Sequence, residues 1–256
     1  MPIILLESSM DHHTVAAISI AGSSLDVLGS LYLAYDLLGG QYGPLRLLTR
    51  MVTYSIVFGV GYGLGLGLFF GVVTGSATGV TVAIELARVA RRQDHYSLFW
   101  ESVFSAIRGV AFAASLYWIV GFRFGAAFGI LNTIGQIAAY ARGIRPGLDY
   151  GPSHRPRLTG RQAWAAVVRT VGAIVSALAC SAFVQHLEHP WIFALRVGTV
   201  IGIVTAAGNA MGPFVEYFSE NLPQRLMGAF GIGLIFVGFT LQSFQYWLVV
   251  LDVALK

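Results

Sequence analysis

Charged residues are scarce in this chain. They make up 11% of its 256 residues, where a soluble domain carries about 25%. Hydrophobic residues make up 56%, and the mean hydropathy is +0.71. A water-soluble core of this size cannot hide that much apolar surface, so lipid is the solvent for most of the chain. Lysine is nearly missing: Lys256 is the only one, and arginine supplies the rest of the basic excess behind a net charge of +4. In a membrane protein such an excess reports topology first. No basic stripe interleaves with aromatics, which excludes a nucleic-acid partner. The single cysteine, Cys180, lies in an apolar run. It excludes an intramolecular disulfide and reads as a small buried hydrophobe.

Catalytic signatures are missing as well. There is no Walker A motif, no G-x-S-x-G, no H-E-x-x-H and no Cys/His pair. The glycine-rich stretch follows no strand and opens no βαβ unit, so a dinucleotide site fails on context. No cofactor and no enzyme activity are expected. Met1–Thr14 has no basic leader and its short apolar run is interrupted by acids and histidines, so no signal peptide is expected.

Glycine, in contrast, is abundant and ordered. Gly59, Gly63, Gly67, Gly71, Gly75 and Gly79 recur at every fourth position, which on a helix is one face without side chains. Each glycine costs a water-exposed helix about 1 kcal/mol against alanine. In lipid, close backbone approach is a main source of helix association. The stretch therefore predicts a helix-packing ridge, with fainter copies at Gly125/Gly129 and Gly198/Gly202.

About 20 apolar residues cross a bilayer. Residues 15–40 and 226–255 each suffice for one span. Met51–Ala90 is too long for one and predicts a hairpin turning near Leu64–Leu68. Gln93–Ile107 is less apolar and, with Tyr96, Phe99, Trp100 and Phe104, predicts a helix lying at the interface before it enters. A second hairpin turns near Gly121–Arg123, and a third has its tip at Gln185–Trp191. Between them Arg142–Gly160 reads as a loop holding Pro146, Pro152 and Pro156. The expected architecture is all-α: one polytopic integral-membrane bundle of about eight transmembrane helices in glycine-zipper packed hairpins. Three hairpin repeats cover residues 46–92, 98–143 and 161–217. The connections bearing Arg46/Arg50, Arg88/Arg91/Arg92, the arginine-rich loop and Arg225 all fall on one side. By the positive-inside rule that side is cytoplasmic and both termini are outside, in a membrane expected to be a prokaryotic inner (plasma) membrane. Arg50, Arg108 and Arg169 each stand near the start of a hairpin, and Thr78, Asn132 and Thr205 follow the glycine ridges at equal spacing, a weak internal symmetry of the kind transporters carry.

An intramembrane carboxylate is a functional hypothesis by default. Asp26, near the middle of the first span, is the candidate for handling a proton or cation. Asn132, Gln136 and Asn209 are candidates to line a polar path, with the alternative that they make interhelical hydrogen bonds worth about 0.6 kcal/mol each. Arg123 and Arg196, at outer span ends, are candidates to draw in an anion or pair with Asp26, against simple snorkelling to headgroups. His12, His13, His186 and His189 share the expected outer side and are weak candidates for a metal such as Zn²⁺ or Cu²⁺. Their spacing matches no metalloprotease motif, and no metal is expected. Two readings follow: a small multi-pass transporter or channel, proton- or cation-linked, or a non-catalytic membrane subunit that packs through its glycine ridges against a second copy or other membrane subunits. In both, the lipid bilayer is the surrounding medium.

Overall fold

The computed structural model describes residues 12–38, 45–92, 97–144, 149–150, 156–157, 160–184, 187–221 and 226–250. Eight helices are each long and apolar enough to cross a membrane: α1 (His12–Leu37), α2 (Arg46–Leu66), α3 (Leu68–Arg92), α4 (Leu98–Val120), α5 (Phe122–Ala141), α6 (Gly160–Cys180), α7 (Pro190–Asn221) and α8 (Leu226–Val250). Apart from a two-residue antiparallel pair, Asp149–Tyr150 with Pro156–Arg157, and a 3-10 turn at Ser181–Phe183, the described residues are all-helical. Large apolar side chains such as Leu64, Trp118 and Phe236 lie on the outside, as expected of an integral membrane protein whose helices face lipid.

The chain divides into two compact units, Met1–Thr49 with Leu222–Lys256, and Arg50–Asn221. In the first, α1 and α8 pack antiparallel along a seam of glycines. A Cβ on Gly22 would come within 2.6 Å of the Gly238 carbonyl oxygen, and one on Gly29 within 2.5 Å of the Gly231 oxygen. Gly238 and Gly231 face Gly22 and Gly29 in return.

The second unit holds the three hairpins α2–α3, α4–α5 and α6–α7. Helix α3 also neighbours α4, and α5 neighbours α6. Helix α7 returns to α2, where Val204 covers Gly61, Val200 covers Gly65 and Tyr62 Oη meets Thr205 Oγ1 at 2.9 Å. The six helices therefore close into a ring. Its core is filled: Phe58, Tyr62, Phe70, Phe112, Phe124 and Phe128 are buried in mutual ring contacts, joined by Ala173 and Ala177 of α6 and Val197 and Ile201 of α7.

Two differences from the sequence reading matter. First, the expected glycine ridge is not one continuous face. Gly67 has φ +101°, ends α2 and has open space where a Cβ would stand. It is the turn, not a packing residue. The remaining glycines fold onto one another: Gly71 lies against Gly59 and Gly63, Gly75 against Gly59, and Gly79 against Ser55. A four-residue repeat interrupted by a turn is self-complementary, so its two arms fit each other. Gly125 and Gly129 sit likewise against α4, and Gly198 and Gly202 against α6. Second, of the predicted interfacial segment Gln93–Ile107, residues 93–96 lie outside the described residues, and from Leu98 on it belongs to α4 itself. A single helix runs from Leu98 to Val120, and Glu101 and Phe104 are buried in it.

The α4–α5 turn repeats the α2–α3 turn, with Gly121 at φ +105° and ψ 167°. That conformation is essentially restricted to glycine. A Cβ on Gly121 meets nothing within 4 Å, so Gly121→Ala isolates backbone strain. It is expected to destabilise the protein by about 1–3 kcal/mol, read as a lowered thermal midpoint in detergent.

Candidate functional site

Buried charge in the second unit gathers where α3, α4, α5 and α6 meet. Helix α4 contributes three of the groups because Glu101, Ser105 and Arg108 are four and three residues apart and so share a face. Arg108 is the eleventh residue of α4, about 15 Å along its axis at 1.5 Å per residue. Its Nη2 donates to Glu101 Oε1 at 2.8 Å and to Ser105 Oγ at 3.4 Å, and its Nη1 stands 3.7 Å from Glu85 Oε2 of α3. Ser105 Oγ lies 3.1 Å from Glu101 Oε1 and 3.4 Å from Gln136 Oε1 of α5, and its one proton serves one of them. Tyr140, at the end of α5, donates its hydroxyl to Glu85 Oε1. The ring face of Tyr140 carries the guanidinium of Arg169 from α6, 5.3 Å from the ring centroid. Arg108 and Glu101 are each 3% exposed and Glu85 is 11% exposed. Two carboxylates and two guanidinium groups thus form one connected, nearly dry network inside membrane-length helices.

Such a network is a poor device for stability alone. Desolvating ions costs several kcal/mol each, and apolar residues of equal volume usually serve a core as well or better. Charges kept inside a membrane face the bundle interior, pair with each other and mark transport paths or relays.

Next to the network is a cavity of about 250 Å³ between α5, α6 and α7. Its polar lining is Asn132, Gln136, Arg169, Ser176 and Thr205. Two expected path residues, Asn132 and Gln136, therefore share a cavity. Asn209 stands one turn beyond Thr205 on α7 and is not part of that lining. Arg169 Nε and Nη2, Asn132 Nδ2 and Asn209 Nδ2 are buried with no hydrogen-bond partner among the described residues.

The other candidates lie elsewhere. Asp26 belongs to the α1–α8 unit, where Gln242 Nε2 donates to its Oδ2 at 2.5 Å while Oδ1 has no partner. Arg196 donates from Nε and Nη2 to the Gly65 carbonyl at 3.2 and 2.9 Å. It thereby satisfies a free carbonyl at the C-terminal end of α2, where a cation is favoured. Arg123 is exposed on the first turn of α5. His189 is exposed; His186 and the side chains of His12 and His13 lie outside what the structure describes. Among the described residues no three histidines, cysteines or acids gather as metal ligands would.

Glu85, Glu101, Ser105 and Tyr140 have no place in the sequence reading, and Arg108 and Arg169 enter it only as span-entry arginines. Counting from the two turn glycines, Arg108 occupies the place of Tyr54, not of Arg50. No family model, curated protein or solved structure matches the chain.

Proposed function

We propose that the protein is a small multi-pass membrane transporter linked to proton movement, with Glu85 and Glu101 as the proton-carrying carboxylates. The observation that carries this reading is the buried network Glu85–Arg108–Glu101 within membrane-length helices, beside a cavity into which Asn132, Gln136, Arg169, Ser176 and Thr205 bring polar groups. Arg108 holds both carboxylates in place, and Tyr140 links Glu85 toward Arg169. With all four groups ionised the network has no net charge. An incoming anion leaves one negative charge in excess, and a proton taken up by Glu85 or Glu101 restores the balance. The candidate groups facing that exchange are Glu85 on α3, Glu101 and Arg108 on α4, Tyr140 on α5 and Arg169 on α6. Asp26 keeps a separate role within its own unit, bonded to Gln242.

The same reading has the odd-numbered connections in the cytoplasm and both termini outside, an orientation that the arginine distribution supports, and puts the protein in a prokaryotic inner membrane. It treats the hairpins as internal repeats held by glycine zippers. Supporting this are the shared positive-φ turns at Gly67 and Gly121 and the facing glycines of the α2–α3 arms. The transporter reading is preferred to the subunit reading because the ridge glycines pack against one another within the α2–α3 hairpin.

The test is proton flux into proteoliposomes loaded with a pH-sensitive dye, under an imposed potential and with candidate small solutes inside. Glu85→Gln is expected to lower the flux at least tenfold while leaving the protein's elution profile in detergent unchanged. Wild-type flux in Glu85→Gln, from protein that elutes normally, would overturn the reading.

A further inference from the structure

The cavity between α5, α6 and α7 has an electrostatic bias that the charge network does not use. Both carboxylate oxygens of Glu85 and Oε1 of Glu101 are engaged by Arg108, Ser105 and Tyr140. Arg169 reaches Glu101 only through the charge interaction across the network and touches the π-face of Tyr140, and its Nε and Nη2 have no hydrogen-bond acceptor among the described residues. Asn132, 7% exposed, offers a second buried donor without an acceptor on the same cavity wall. An unmet buried donor costs about 1–3 kcal/mol, more when it is charged. No carboxylate is among the residues lining the cavity; the carboxylate that acts on Arg169, Glu101, belongs to the adjoining network. At about 250 Å³ it falls below the roughly 300 Å³ at which drug-sized sites begin, which suits a small ligand.

We infer that this cavity binds a small oxyanion, a carboxylate or phosphate group, on the Arg169 guanidinium and the Asn132 amide. The planar guanidinium fork matches the paired oxygens of such a group. Gln136 and Thr205 complete the polar wall, and Gly135 and Gly172, whose Cβ positions are open, leave room for the ligand's apolar part. This names a substrate class for the proposed transporter and rests on that reading for its purpose. Binding itself does not depend on transport. The oxyanion has two possible sources, a free solute or the phosphate of an anionic lipid.

Thermal unfolding of the full chain in phosphatidylcholine nanodiscs separates them. Acetate and inorganic phosphate are titrated against chloride at constant ionic strength, and in a second arm phosphatidylglycerol replaces part of the phosphatidylcholine. A saturable rise of the midpoint with acetate or phosphate over chloride is expected, weakened at least tenfold in apparent affinity by Arg169→Gln. A rise with phosphatidylglycerol alone, also lost in Arg169→Gln, supports the oxyanion site with lipid phosphate as its ligand. If Arg169→Gln does not fold, Asn132→Leu replaces it and is expected to weaken the response severalfold. No rise over chloride in either arm, or a wild-type response in the variant that folds, overturns the inference. Glu85→Gln with wild-type flux but intact anion binding would sink the transport reading and leave the site standing.

Discussion

Arg108→Gln is expected to be the most damaging polar substitution in the protein, lowering stability by about 3–5 kcal/mol, the usual cost of breaking a buried ion pair from one side. The guanidinium serves both Glu101 at 2.8 Å and Glu85 at 3.7 Å. Removing it leaves two carboxylates packed inside membrane-length helices, hydrogen-bonded to Ser105 and Tyr140 and with Arg169 as the remaining cation of the network. Water cannot reach Glu101, which is 3% exposed. The second half of the test is the double variant Arg108→Gln with Glu101→Gln. Because the two residues are in direct contact, their effects are not additive, and removing the carboxylate that lost its partner is expected to recover a large part of the loss. The readout is the thermal midpoint and the folded fraction in mild detergent. A loss under about 1 kcal/mol in Arg108→Gln, in the range of an exposed surface pair, would mean that Arg108 does not hold the network.

The same residues show what could be read from the sequence and what could not. Span number and hairpin order were legible because they depend on long-range composition: apolar length fixes the crossings, and the arginines of successive connections fix the pairing of arms. The turns were legible because Gly67 and Gly121 lie near the middles of their apolar runs. The charge network was not legible, because its signal was assigned to a surface. Reading Gln93–Ile107 as an interfacial helix placed Glu101 in the headgroup region, where an acid needs no partner. In the structure α4 is continuous from Leu98, so Glu101 and Ser105 fall inside the span. The spacing Glu101–Ser105–Arg108 was the available signal, since it sets an acid and a base on one helical face. Asp26 drew attention as a lone acid in an apolar run, yet depth alone does not find partners, and its own, Gln242, is 216 residues away in sequence. The α1–α8 glycine seam was missed for a similar reason: Gly22 and Gly29 are seven apart and show no repeat until Gly238 and Gly231 are brought opposite them.

Glycine-to-alanine substitutions are expected to divide by what each new methyl group meets. At Gly75 the Cβ would overlap the Gly59 backbone, and at Gly79 the Ser55 backbone. Main chain cannot turn aside as a flexible side chain can, so α2 and α3 must separate along their length. Each substitution is expected to destabilise by about 1–3 kcal/mol, the cost of overpacking, and a larger side chain at either site is expected to exceed it. Gly135 and Gly172 lie within α5 and α6 with nothing within 4 Å of a Cβ. There alanine adds only helix propensity, a gain of up to about 1 kcal/mol in the reference scale. The sign of the effect should therefore reverse between the seam and the cavity wall although the chemical change is the same. The thermal midpoints of Gly75→Ala, Gly79→Ala, Gly135→Ala and Gly172→Ala in one detergent decide it. Helix propensity alone would move all four the same way. Only close backbone approach, which in lipid takes over the part that the hydrophobic effect plays in water, makes the first two fall while the others hold or rise.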